Sequence, residues 1–440
     1  MSAPREFFGS RLGFILAAAG SAIGLGNIWR FPYQVADGGG AAFVVLYLFM
    51  TVLIGIPMMV AEFILGRRTR SSPIGALRAA GGNAWVPLGF LFVITPLLIL
   101  AYFSVVAGWT LRYTLDALVG FSPSPSERYA EVSSGWPAVQ NHLLMMAVTI
   151  AVVIVGIRKG IERAAFVLMP TLAILLIGLA VWAFTLEGSG PGYSFYLTPS
   201  IEDLFDPTVI KQAASQAFLS LSVGMGIMVT YGSYISKREN LGREAIVVSF
   251  SDFSVAFVGG LVVFPVIFAL GLSEEVQGAT LGALFISLPG AFAEMGTLGR
   301  VVGFSFFLAL VIAALTSSVS LLEVGVASII DEFAVSRRTA TLTVGLAVAA
   351  VGIIPAMSQG ALGVLDEVAG EFLVVVGVLG MAFVVGWVMK DPLSELQDGA
   401  SPLFRRMARG AIFTIRYIIP PLVAVIVWFS IRDTLALMFG

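Results

Sequence analysis

The chemically informative parts of this chain are oxygen-rich, glycine-broken stretches set inside apolar sequence. Residues 20–27 read Gly20, Ser21, Ala22, Ile23, Gly24, Leu25, Gly26 and Asn27, and a second run reads Ser220, Leu221, Ser222, Val223, Gly224, Met225 and Gly226. A third apolar stretch carries the hydroxyl triplet Thr316, Ser317 and Ser318. In lipid, non-helical backbone is tolerated only where it is buried in protein or lines a cavity. Breaks at matching places in two halves of a membrane chain point to a solute and ion site near mid-membrane, where freed carbonyls supply hard oxygen ligands to a cation. The triplet also has a plainer reading, hydroxyls bonded back to their own helix. Arg30, Glu62, Asp252 and Glu323 are ionisable residues within apolar stretches, and such residues are functional by default. Asp252 also reads as a cavity carboxylate satisfied by neighbouring hydroxyls. Glu62 and Glu323 read as structural acids that satisfy unwound backbone.

Other chemistries are excluded by composition. The chain has no cysteine and a single histidine, His142, so thiolate chemistry, disulfides and a zinc cluster are absent. It carries no HExxH, GxSxG, P-loop or GxGxxG pattern, and no nucleophile with a positioned base, so an enzyme is not expected. A net charge of −2 without a basic tract gives no support for a nucleic-acid partner.

The elements that position these residues are membrane helices. Of 440 residues, 58% are hydrophobic and 12% charged, with mean hydropathy +0.96; soluble proteins have roughly 45–50% and about 25%. Eleven apolar spans are expected, near 11–35, 41–66, 86–116, 139–156, 164–185, 209–235, 243–271, 299–330, 337–356, 366–389 and 412–436. With the N-terminus cytoplasmic, nineteen Lys and Arg fall on the inner side and five on the outer, leaving Arg30 within the membrane. Positive residues favour the cytoplasmic side, so the expectation is a multi-pass inner (plasma) membrane protein with an external C-terminus. The first span is too long for a cleavable signal. The two Gly-x-Gly breaks lie in spans one and six, five spans apart, so the second half enters the membrane inverted. Residues 1–440 are expected to form one domain with the five-plus-five architecture of a transporter: a half over about 11–185, a second over about 209–389, and an extra helix over about 412–436.

The stretch RLGFILAAAGSAIGLGNIWRFPY, followed by GGGAAF and GIPMMVAEFILGR, resembles the start of the neurotransmitter:sodium symporter family. VVAGWTLRY, GIRKGIERAAFVLMP, SQAFLSLSVGMG, AALTSSVSLLE and the Gly386–Trp387 pair extend the resemblance over roughly residues 5 to 435. It implies an all-α membrane protein with the LeuT fold: a 5+5 inverted repeat with broken helices one and six, here with one extra helix and no twelfth. It implies a sodium-coupled symporter that imports a small carboxylate-bearing solute by alternating access. It also implies two sodium sites. The second takes carbonyls of Gly20, Ile23 and Ala313 and hydroxyls of Thr316 and Ser317. The first takes Ala22, Asn27, Ser220 and, in place of the family's usual Asn, Ser251 or its neighbour Asp252.

By the same resemblance the substrate lies among Ala22, Gly24, Leu25, Gly26, Ile99, Phe103, Leu219, Ser220, Ser222, Met225, Ser317 and Leu321. Amine-transporting relatives carry an Asp at the position of Gly24, so a glycine implies a substrate that brings its own carboxylate. A hydrophobic or aromatic α-amino acid suits the rest. Phe103 and Leu219 depart from the family's span-three Tyr and span-six aromatic lid, leaving Tyr102 as a possible substitute. The alternatives are a carrier of a modified or non-proteinogenic amino-acid-like solute, and a substrate sensor on the same fold. Gates are expected at Arg30–Asp366, with Glu367 or Glu371 if the register slips, and at Arg5–Asp331 near Phe8 and Tyr234. Tyr47 and Gln216 of the family's anion site are present, but Val255 replaces its Ser or Glu. Chloride is therefore not expected to be required, with Asp252 supplying the negative charge.

Overall fold

The computed structural model describes residues 6–271, 283–398 and 400–428. Among them there are helices and no strand. Nine helices are long and apolar enough to cross a membrane, and the pair Arg11–Ala22 and Gly26–Asp37, bent by 59°, makes a tenth crossing. The eleventh, span six, is two short pieces, Pro207–Ser220 and Ile227–Gly232.

Span one opens where the Ser10 hydroxyl accepts the Gly13 amide at 3.0 Å, an N-cap. Helix stops at Ala22, because Ile23 turns extended with ψ 96°. The stretch before the break is alanine- and glycine-rich for steric reasons. A Cβ on Gly20 would stand 3.2 Å from Met169 Sδ and 3.3 Å from Thr316 Cβ, so span one can lie this close to spans five and eight only with small residues.

Span six breaks over Ser222, Gly224 and Gly226, at φ 54°, 83° and 72°. Left-handed backbone costs a non-glycine residue roughly 1–2 kcal/mol; Ser222 is held there by its hydroxyl, which donates to the Ser21 carbonyl at 3.1 Å. Gly224 has no alternative, since a Cβ would sit 2.5 Å from the Val374 carbonyl oxygen. The amides freed by this break are met by an acid from span two. Glu62 accepts from Gly224 N at 2.6 Å and from Val229 N at 3.2 Å, which is the structural part expected of it. Glu323 does something else. It accepts the Tyr234 hydroxyl at 2.7 Å and pairs with Arg337 at 2.8 Å, so it joins a hydroxyl and a guanidinium and no unwound backbone.

Spans two, three and eight run as Ala41–Thr69, Asn83–Val119 and Gly296–Phe333, with three and eight packed along each other beside span one. At 1.5 Å per residue the 38 residues of span eight reach about 57 Å, well past the roughly 30 Å hydrocarbon layer. Several boundaries differ from the sequence expectation. Span four is Gly135–Val153 and span five begins at Ile157, ahead of residue 164. Span ten begins at Gln359, and span eleven at Pro402, ten residues before position 412. The Arg405, Arg406 and Arg409 segment, read from sequence as loop, is the first three turns of that helix; their charges lower hydropathy without breaking the helix. Residues 429–436 of the expected span lie outside the described residues.

Candidate ion and substrate site

The two breaks face one cavity, ≈ 680 Å³ with its mouth included. Ala22, Gly24, Leu25 and Gly26 come from span one, Ile99 and Phe103 from span three, and Leu219, Ser220, Ser222 and Met225 from span six. Ser317 and Leu321 come from span eight. These are the twelve positions named from sequence for the substrate. The cavity also takes Ser21, Tyr102, Ser320, Arg30 and Asp366. Ser320 was legible as the residue one helical turn after Ser317, and the Ser21 hydroxyl donates to it at 2.7 Å. Polar atoms gather at the breaks, while Ile99, Phe103, Leu219, Met225 and Leu321 make an apolar wall. Both Phe103 and Tyr102 line the space, but the Tyr102 hydroxyl is already hydrogen-bonded to Asp366.

Beside this cavity lies a cluster around Asn27. Its Oδ1 accepts the Gly24 amide at 2.9 Å, closing the break on itself. Its Nδ2 donates to Asp252 Oδ1 at 2.7 Å. Asp252, fully buried, also accepts from Ser220 Oγ at 2.8 Å and from Tyr47 Oη at 2.8 Å. Ser251 is not in this cluster. Its hydroxyl turns back to the Val247 carbonyl of its own helix at 2.8 Å. Of the two neighbours considered for the first ion site, the helix therefore presents Asp252 to Asn27 and Ser220 and points Ser251 elsewhere. Successive helical residues differ by about 100° in direction, so only one of them can face inward. Such an oxygen-rich, net-negative cluster suits a small hard cation.

Of the residues named for the second ion site, those of span eight meet span one at Gly20 and Ser21. Thr316 faces Gly20, and the Ser317 hydroxyl donates to the Ser21 carbonyl at 3.2 Å. Ile23 ends the first half of span one, and the Thr316 hydroxyl bonds back to the Ala313 carbonyl at 3.0 Å. The plainer back-bonding reading of Thr316 thus describes its present hydrogen bond. A Cβ on Gly24 would fall 2.6 Å from Ser317 Oγ, so this glycine lets the break and span eight meet.

On one side the cavity leads to a recess lined by Arg30, Tyr33, Tyr102, Trp109, Asp366 and Glu371 among others. Here the expected ion pair is redirected. Arg30 Nη2 lies 2.5 Å from Glu371 Oε1, while Asp366 takes the Tyr102 hydroxyl. The cause is local winding. From Asp366 to Leu373 span ten is a π-helix, whose bonds run i to i+5, so residues 366 and 371 come one turn apart and both approach Arg30. On the opposite side Phe8 packs edge-on against Tyr231 at 5.6 Å and Tyr234 at 6.2 Å. Asp331 there accepts the Ser72 amide at 2.7 Å. Arg5, its expected partner, lies outside the described residues. Of the anion-site residues, Gln216 donates to the Gly26 carbonyl at 3.2 Å and Tyr47 is committed to Asp252.

Comparison with known proteins agrees with this geometry. The model of the sodium:neurotransmitter symporter family matches residues 5–124 and 133–439. An uncharacterized sodium-dependent transporter of Bacillus subtilis, YhdH, is 38% identical over 362 residues, 80% of this chain and 79% of that protein. One from Methanocaldococcus jannaschii is 35% identical over 418 residues, 89% and 84% of the two. The crystal structure of MhsT in complex with L-phenylalanine superposes with a TM-score of 0.87 at 38% identity, over 97% of this chain and 99% of MhsT. With interrupted spans one and six around a common cavity, and a family match that spans nearly its whole length, the chain belongs to the sodium:neurotransmitter symporter family.

Proposed function

We propose that this protein is a sodium-coupled symporter that imports a hydrophobic or aromatic α-amino acid by alternating access. The observation that carries the reading is the single cavity bounded by both breaks, polar at the unwound backbone and apolar opposite. An amino acid fits it with its charged end at the breaks and its side chain on Ile99, Phe103, Met225 and Leu321. MhsT, similar over almost the full chain, has been crystallised with L-phenylalanine, which supports the same class of substrate here.

Two sodium ions act as co-substrates in this reading. One is held by Ala22, Asn27 and Ser220 with Asp252 as the nearby charge, the other by Gly20, Ile23, Ala313, Thr316 and Ser317. The Asp252 carboxylate supplies the negative charge that a chloride ion would otherwise bring, so uptake proceeds without chloride. Coupling requires that sodium favour one conformation, since a ligand shifts an equilibrium only by its differential affinity. The outward-facing state is the one sodium stabilises, because it orders both breaks while the substrate path is open. Arg30 with Glu371 and Asp366 closes the outer path, and Phe8, Tyr231 and Tyr234 close the inner one. The N-terminus then lies in the cytoplasm and the chain forms one transport domain in the plasma membrane.

The test is thermal stability of the purified protein against each of the twenty amino acids, in Na⁺ and in K⁺. A ligand at about 100 times its Kd stabilises by roughly 2.7 kcal/mol. The reading expects stabilisation by a few hydrophobic or aromatic amino acids in Na⁺ only. A sodium response with none to any amino acid overturns the substrate class.

A further inference from the structure

A second recess is an open groove of ≈ 1330 Å³ between spans two, seven and eleven. Its walls are apolar: Phe49 and Ile56 from span two, Ile246 and Phe250 from span seven, Phe404 and Met407 from span eleven. It is preformed. Asn240 and Leu396 line one end, and the residues next to them are clamped by Arg67, whose side chain is fully buried. That guanidinium pairs with Glu395 at 2.6 Å and donates to the Glu239 carbonyl at 2.6 Å. Phe404 seats span eleven on Gly242, where a Cβ would come 3.2 Å from its ring.

The same end is strongly basic. Arg243 precedes Ile246 and Phe250 by three and seven residues, so it stands on the helix face that forms the groove wall. Arg406 precedes Gly410, another lining residue, by one turn. Arg405 and Arg409 flank it, and all four are exposed. Among the described residues none of the four makes an ion pair, whereas Arg11, Arg67, Arg78 and Arg337 are each paired with an acid. An open apolar slot, topped by guanidiniums that make no ion pair among the described residues, calls for a molecule with a long apolar tail and an anionic head. Arginine pairs bidentately with phosphate, and basic pockets between membrane helices bind anionic headgroups.

We propose that this groove binds an anionic glycerophospholipid from the bilayer. One acyl chain lies along Phe49, Ile56, Phe250 and Met407, and the phosphate is held by Arg243 and Arg406. The lipid wedges the extra eleventh helix against spans two and seven.

The test uses the full-length protein purified in mild detergent with an equimolar mixture of phosphatidylglycerol and phosphatidylcholine, and counts retained lipids by native mass spectrometry. The expected result is preferential retention of phosphatidylglycerol. Each of Arg243→Ala and Arg406→Ala lowers that preference roughly fivefold, as expected of about 1 kcal/mol per basic residue. Gly410→Trp, whose Cβ meets nothing within 4 Å, fills the groove and lowers retention of both lipids. Unchanged melting by circular dichroism shows that each variant is folded; an arginine variant that melts early is replaced by its Gln counterpart, which also removes the charge and lowers the preference. Equal retention of the two lipids, or a preference unmoved by both arginine variants, overturns the proposal. So does a doubled protein mass without lipid that Gly410→Trp abolishes, because a second copy then occupies the face.

Discussion

Replacing Asp252 by Asn removes one unit of charge from the ion cluster while keeping nearly the same shape. The carboxylate accepts three side-chain donors, from Asn27 at 2.7 Å and from Ser220 and Tyr47 at 2.8 Å each. The amide of Asn presents an NH₂ in place of one oxygen, so the hydroxyls facing it must turn from donating to accepting, and the bonds that remain are neutral. For a cation about 5 Å from the lost charge at an effective dielectric near 20, the lost attraction is about 3 kcal/mol, on the order of a hundredfold in sodium affinity. The sodium-free protein should not suffer equally, because the variant no longer buries an uncompensated charge. The signature is therefore split: a melting temperature in K⁺ close to that of the wild type, and a sodium titration of stability shifted to roughly hundredfold higher concentration. Chloride should recover part of the shift in the variant and do nothing in the wild type. A sodium midpoint within about threefold of the wild type refutes the role given to Asp252, and a chloride requirement in the wild type refutes the substitution of fixed for mobile charge.

Ser251→Ala should leave sodium dependence within about twofold, since its hydroxyl is bonded to Val247, whereas Ser220→Ala loses a charge-assisted bond worth about 1.5–3 kcal/mol. Equal effects of the two in a sodium titration contradict the assignment. At the outer gate Glu371→Gln should cost under about 1 kcal/mol, because Glu371 is 48% exposed. Asp366→Asn should impair uptake more, since that acid holds the Tyr102 hydroxyl; the reverse ranking in initial uptake rates is contrary to the account. Gly377→Ala places a Cβ 1.9 Å from the Gly224 carbonyl oxygen and should lower stability by about 1–3 kcal/mol or more. An unchanged melting curve is inconsistent with the tight packing of span ten on the break.

Backbone-level features were the most legible in the sequence. Gly224 and Gly226 mark the second break because their left-handed dihedrals and close backbone or ring neighbours disfavour any side chain, and the twelve cavity positions came from the family resemblance. Legibility fell where one residue of helical phase decides the outcome. Ser251 and Asp252 are both plausible ion partners on paper, and only the packing of span seven against Asn27 selects one. The partner of Arg30 shifted from Asp366 to Glu371 because a π-turn alters the phase of span ten, which residue types there do not announce. Glu323 was misread for a related reason: its partner Arg337 lies on the next helix, across a turn, and only the fold brings it back. The early start of span eleven was hidden because Arg405, Arg406 and Arg409 depress hydropathy over three turns that are nonetheless helical.

The central claim is that sodium and an amino acid share this cavity and move together. Its most direct test is uptake of labelled L-phenylalanine into proteoliposomes of the purified protein, with an inward Na⁺ gradient compared against K⁺ on both sides. The account predicts accumulation above the external concentration with the Na⁺ gradient, collapse of that accumulation when the gradient is dissipated, and none in K⁺. Uptake of equal size in K⁺ contradicts sodium coupling.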